Sequence, residues 1–152
     1  MMRQLGQDDD FREVLALIRT AFAYMDGRID PPSSMQRLTV ADLARAAAEG
    51  EVWVSGDPVL GCVVLTPSAD ALYLGKLAVA DAARGTGLGR TLVARAEASA
   101  LARGLPAVQL QCRVELTELH GFYRALGYAE AGRSAHPGFD RPTSVTFRKP
   151  VA

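Results

Sequence analysis

Apolar residues change their period several times along the chain, and each change marks an element. Met2 to Leu5 reads as a short edge strand. Phe11, Val14, Leu15, Leu17, Ile18, Ala21 and Phe22 recur at helical spacing. That spacing predicts a helix from Asp9 to Ala23, with Asp8-Asp9-Asp10 as its N-cap and as favourable negative charge at its start. Tyr24 to Pro32 breaks the pattern, and Asp30-Pro31-Pro32 stiffens it, because proline fixes its own φ and restricts the residue before it. A second, alanine-rich helix begins at Thr39-Val40-Ala41-Asp42 and ends near Gly50.

From there the period falls to two. Glu51 to Ser55 reads as a strand, Gly56-Asp57-Pro58 as a turn and Val59 to Thr66 as a second strand. After the turn at Pro67 to Asp70, Ala71 to Val79 reads as a buried strand. Leu88 to Arg103 returns to helical spacing, with Leu88, Leu92, Val93, Ala96 and Ala100 on the buried face, and Gly104-Leu105-Pro106 stops it. Ala107 to Val114 is a strand with Val108, Leu110, Cys112 and Val114 on one face. Thr117 to Leu126 is a short helix ended by Gly127. Tyr128 to Gly132 and Ser144 to Arg148 are the last two strands, joined by a loop from Ser134 to Pro142. No repeat, low-complexity segment or linker divides the chain, so residues 1–152 are expected to form one domain.

The join between the buried strand and the long helix carries the most chemistry. It runs Asp81-Ala82-Ala83-Arg84-Gly85-Thr86-Gly87-Leu88-Gly89-Arg90. Glycine lacks a Cβ, so main chain there can turn sharply and lie against a ligand. A helix start presents unpaired N–H groups and the positive end of the dipole. Together they form an anion site, and phosphate is the usual occupant. A Walker loop is excluded, since no Lys followed by Ser or Thr occurs. A dinucleotide loop would need a third glycine where Arg90 stands, and it would sit after the first strand rather than past mid-chain.

Composition narrows the field further. The formal net charge of the 152 residues is zero at pH 7, which argues against general nucleic-acid or anionic-membrane binding and leaves a local basic pocket open. The two cysteines, Cys62 and Cys112, lie in apolar strand-like runs and read as buried free thiols, which implies a reducing, cytoplasmic setting. His120 and His136 do not stand at metal-ligand spacing, and no metal site is expected. The polar, acidic start has no apolar core of a signal peptide, and no run approaches the ~20 apolar residues of a membrane span.

Arg84, Gly87 and Gly89 fill every fixed position of the pattern [QR]-x-x-G-x-[GA]. This loop resembles the acetyl-CoA pyrophosphate loop of the GNAT (GCN5-related N-acetyltransferase) family. The element order is similar to that family along nearly the whole chain. The resemblance implies an α/β fold: a central mixed, mostly antiparallel sheet of six to seven strands with helices on both faces. A second landmark, Tyr followed by Leu-Gly-[FY], is matched by Phe122-Tyr123-Arg124-Ala125-Leu126-Gly127-Tyr128.

The resemblance implies acetyl-CoA as donor and acyl transfer to a primary amine by direct attack. The diphosphate would lie on Arg84, Gly85, Thr86, Gly87, Leu88, Gly89 and Arg90. Main chain at Leu77, Ala78 and Val79 would take the pantetheine and the developing oxyanion, and Tyr123 would be general acid for the thiolate. Two departures stand out. Where many members carry a glutamate as base, this chain reads Tyr73-Leu74-Gly75-Lys76. Leu116 stands where many carry an asparagine that contacts the cofactor. The base is left among Glu115, Asp30, Tyr24 and a water path. The acceptor pocket is expected from the loops around Tyr24, Asp30, His136, Phe139 and Arg141, with a small polar amine as its occupant. The missing glutamate and asparagine leave one alternative, a non-catalytic acyl-CoA-binding module. Homodimers are common in the family, so the resemblance also implies a possible homodimer.

Overall fold

The computed structural model describes residues 2–151. Met1 and Ala152, the ends of the span expected to be one domain, lie outside the described residues. Seven strands form one sheet: β1 (Met2–Leu5), β2 (Glu51–Ser55), β3 (Gly61–Pro67), β4 (Leu72–Val79), β5 (Ala107–Arg113), β6 (Ala129–Ser134) and β7 (Ser144–Pro150). Their order across the sheet is β1-β2-β3-β4-β5-β7-β6. Every neighbouring pair is antiparallel except β4 and β5, which are parallel. Four α-helices cover the two faces: α1 (Arg12–Phe22), α2 (Val40–Glu49), α3 (Leu88–Ala102) and α4 (Thr117–Ala125). No helix among the described residues is long and apolar enough to cross a membrane.

Two cores lie against the sheet. On one face Val14 and Ile18 of α1, with Phe11 just before its start, and Leu43 of α2 bury against Val52, Val54, Cys62 and Val64. On the other, Leu92, Val93, Ala96 and Ala100 of α3 meet Leu72, Leu74, Val108, Leu110 and Phe147. Alternation along each strand produces this division, since successive side chains point to opposite faces. Tyr73 and Gly75 alternate with Leu72 and Leu74, so they face the α1 side. Gly61 allows α3 to settle closely: a Cβ there would stand 2.8 Å from a methyl of Leu88.

Several expected boundaries move, β3 for instance starting at Gly61 rather than Val59 and β7 running on to Pro150. Two of the shifts have a clear local reason. Helix α1 starts at Arg12 rather than Asp9, with Phe11 as its N-cap. The acidic run is used before the helix instead: Asp9 accepts from Gly6 N at 2.7 Å, and Asp10 accepts from Arg12 N at 3.0 Å and from its guanidinium. Strand β6 starts at Ala129, after Tyr128, because Tyr128 N donates back to Tyr123 O at 3.1 Å and closes the end of α4. Helix α2 begins as expected, through a reciprocal capping box between Thr39 and Asp42.

Candidate active site

The strand pair β4/β5 is the opening in the sheet. It holds only two paired positions, Leu72 with Val108 and Tyr73 with Gln109. Beyond them the strands part. On its other side β4 bulges against β3: Cys62 faces Ala78 while Val64 faces Gly75, so Lys76 and Leu77 together oppose Val63. Lys76 takes φ +52°, outside the extended region. A bulge leaves an unpaired residue and re-aims main-chain groups, a device common beside active sites. The parted strands lead into a cleft of about 1030 Å³ that runs from the start of α3 to the loop after α1.

At one end stands the glycine loop. A short 3-10 turn, Asp81–Ala83, ends β4 and leads to it. Gly85 and Gly87 adopt φ of +79° and +84°, the left-handed region that costs an L side chain about 1 kcal/mol or more. Nothing lies within 4 Å of where a Cβ would stand at either one. Gly87 is the N-cap of α3 with no side chain capping it, and the first helix N–H taken up within the chain is that of Thr91, by Gly87 O at 3.0 Å. Among the described residues, the N–H groups of Leu88, Gly89 and Arg90 are thus free to meet an anion. Arg84 stands beside them in an exposed ion pair with Asp81 at 2.9 Å.

Across the cleft, α4 presents Tyr123. It is 5% exposed, and its ring packs edge-on against Phe122 and Tyr128 with centroids at 5.0 and 5.8 Å. Burial pushes its phenol well above the ordinary tyrosine value, helped by Cys112 and the phenols of Tyr73 and Tyr24. Glu115 Oε1 is the one buried side-chain polar atom without a partner among the described residues, so the Tyr123 hydroxyl is not sealed off as an orphan. Burial pushes the neighbouring Cys112 thiol up to about 12, which keeps it neutral.

The far end is roofed by the loop after α1. Arg113 donates to Pro31 O at 2.6 Å and to Pro32 O at 3.3 Å. Arg28 pairs with Glu118 at 2.8 Å and Arg141 with Asp30 at 3.2 Å. Glu115 Oε2 accepts from Asp30 N at 3.2 Å. These contacts hold the loop against the ends of β5 and α4. His136 stands beside them, its main-chain N–H donating to Thr143 Oγ1 and its Nδ1 against the same oxygen. Burial first, then Arg113, lowers the His136 pKa, so its ring is neutral at neutral pH, with Glu115 acting in the opposite direction.

Of the residues singled out in the sequence, Leu77, Ala78, Val79, Arg84, Gly85, Gly87, Leu88, Gly89, Arg90, Tyr123, Tyr24 and His136 line the cleft. Thr86 lies in the loop without lining it, and its hydroxyl donates to Ala83 O at 2.5 Å. Asp30, Glu115 and Arg141 do not line the cleft but gather at its rim, Glu115 and Arg141 each bonded to Asp30. Sequence reasoning missed Tyr73, Gln111, Arg113 and Arg28, all of which line it. The signal for the first two was present as alternation: each is a polar or half-polar position between buried ones on β4 or β5, and Arg113 follows the buried Cys112 at the end of β5.

Residues 13–128 match the model of the Acetyltransferase (GNAT) family. The chain belongs to that family and is an acyltransferase. It is 30% identical over 140 residues to an IAA acetyltransferase of Azospirillum brasilense, a match covering 91% of this chain and 90% of that one. In fold it is similar to a protein of Streptococcus mutans UA159, with a TM-score of 0.81 at 16% identity over 100% of this chain and 99% of that one. It is also similar to a GNAT family acetyltransferase of Elizabethkingia anophelis solved with acetyl-CoA bound. That match has a TM-score of 0.69 at 13% identity over 99% of this chain and 97% of the other.

Proposed function

We propose that this protein transfers the acetyl group of acetyl-CoA to a primary amine of a small molecule or peptide by direct attack, with Tyr123 as general acid. One arrangement carries the reading. A strand pair that parts after two rungs opens onto a helix start whose first N–H groups are unpaired, with a neutral phenol across the same cleft.

The loop residues fit the donor's diphosphate. Leu88, Gly89 and Arg90 offer unpaired N–H groups, Gly85 and Gly87 offer main chain uncovered by any Cβ, and Arg84 and Arg90 offer positive charge. Thr86 holds the loop's shape. Leu77, Ala78 and Val79 would pair with the amides of the pantetheine arm as an added strand does. When bound, acetyl-CoA supplies an activated thioester carbonyl. The re-aimed main chain at the Lys76-Leu77 bulge is suited to receive charge on that oxygen. The amine nitrogen bonds to the carbonyl carbon, the carbon–sulfur bond breaks, and Tyr123 gives its proton to the sulfur.

The acceptor end would be lined by Tyr24 and His136, with Asp30, Glu115 and Arg141 fixing the roof above them. A lysine-like amine has a pKa of about 10.4 and must shed a proton before it attacks. Burial raises Tyr24 above its ordinary value, so it stays protonated. The neutral ring of His136 is better suited to accept that proton, directly or through water.

The test has two readouts. Acetyl-CoA at millimolar concentration should raise the melting temperature through linkage. A panel of small amines should then release free thiol. Binding without thiol release for any amine would favour the acyl-CoA-binding module instead.

A further inference from the structure

One side chain stands at the point where the two strands part. Tyr73 is the β4 partner of Gln109 in their last rung. Its ring leans along β4 over Gly75, where a Cβ would stand 3.4 Å from Tyr73 Cε1. Both Tyr73 and Gln111 of β5 line the cleft where the strands part. The ring therefore lies at the vertex, on the α1 side of the sheet. Tyr123 approaches from the opposite side, where it packs in the core under α3 and α4. The two phenols and the Cys112 thiol lie close enough to influence one another's charge.

We infer that the Tyr73 ring is the floor of the acyl pocket and restricts the donor to acetyl thioesters. The inference rests on the proposed acetyl transfer. An acyl group held at the vertex between β4 and β5 has the ring directly in the path of a longer chain. A Cβ at 75 would be in ordinary contact with the ring, so the ring lies directly over the main chain of Gly75. The transfer itself is unchanged by acyl length. The N–C bond forms, the C–S bond breaks, the ammonium gives up two protons, one to solvent before attack and one that replaces the proton Tyr123 gives to the sulfur, and nothing is oxidised or reduced.

Acetyl-CoA and butyryl-CoA are compared on the wild type, Tyr73→Ala and Tyr73→Phe, by kcat/KM with one amine and by calorimetric affinity without amine. A methylene with no room costs on the order of tenfold or more. The wild type should therefore disfavour butyryl-CoA by at least about tenfold in both readouts. Tyr73→Ala removes the ring and should raise the butyryl-to-acetyl ratio about tenfold or more, whereas Tyr73→Phe keeps the ring and should hold it within about twofold. A role as a mere strut between strands would lower stability without moving that ratio. If Tyr73→Ala does not fold, Tyr73→Leu must move the ratio in the same direction. An unmoved ratio in a folded variant, or a wild type that takes both donors equally, overturns the inference. Absence of thiol release from either donor would sink the transfer reading instead, and the binding comparison would still decide the role of Tyr73.

Discussion

Replacing Tyr123 by Phe removes one oxygen and little else. The ring is 5% exposed and keeps its contacts with Phe122, Tyr128 and Phe147. The hydroxyl is bonded to no other described residue, so its loss strands no partner. Stability should change by less than about 1 kcal/mol, or roughly 2–4 °C in melting temperature for a chain of this size. The effect on rate is of a different order. A positioned general acid contributes about 10²–10⁴-fold, equivalent to about 2.7–5.4 kcal/mol of barrier. Burial raises this phenol, so it remains an acid beyond the pH at which an ordinary tyrosine ionises, about 10. The wild type should therefore show no falling limb from Tyr123 across neutral pH. The assay is thiol release at saturating acetyl-CoA, with donor affinity measured separately by titration. The expected result is a kcat lowered about 100-fold or more at unchanged affinity. A kcat within about threefold of the wild type, in a variant that melts normally, would refute the role of Tyr123.

Gly87→Ala should lower melting by only a few degrees, since a left-handed alanine costs about 1–2 kcal/mol. It should weaken coenzyme A much more than it weakens the fold, because its methyl group enters space that is open at +84°; titration calorimetry beside a melting curve separates the two. Glu51→Ala tests stability away from the cleft. Its carboxylate accepts from Trp53 Nε1, Ser99 Oγ and Arg103 Nε, each at 2.7 Å. Removing it leaves three donors unpaired, the buried Ser99 hydroxyl among them, at a cost of about 2 kcal/mol, or roughly 4–8 °C. Burial raises the Glu51 pKa, but the three donors outweigh it and the net shift is downward. Its stabilising effect is thus full at neutral pH and disappears as pH falls below the ordinary carboxylate range, where the two proteins should melt alike.

The parts of this fold legible in the sequence are those set by local rules. The glycine loop could be read because φ of +79° and +84° at Gly85 and Gly87 requires glycine. The capping box at Thr39 and the helix-ending Gly104 and Gly127 are local in the same way. The parting of β4 from β5 is not local. It follows from the register of Leu72 on Val108, between strands joined through a whole helix, and no residue in either strand announces it. The bulge is equally silent, since its left-handed residue is Lys76 rather than a glycine. At the acceptor end, charge was visible but pairing was not. Asp30 is bonded to both Glu115 and Arg141 at the rim, and the cleft itself is lined by Tyr73, Arg28 and Arg113 as well as Tyr24 and His136.

The proposed chemistry requires a coenzyme A diphosphate to bind on the main chain at the start of α3. A crystal structure of the complex tests it most directly. Diphosphate oxygens should stand about 3 Å from the N–H groups of Leu88, Gly89 and Arg90, with the pantetheine arm running along Leu77 to Val79. Coenzyme A bound elsewhere, with those amides still facing solvent, would contradict it.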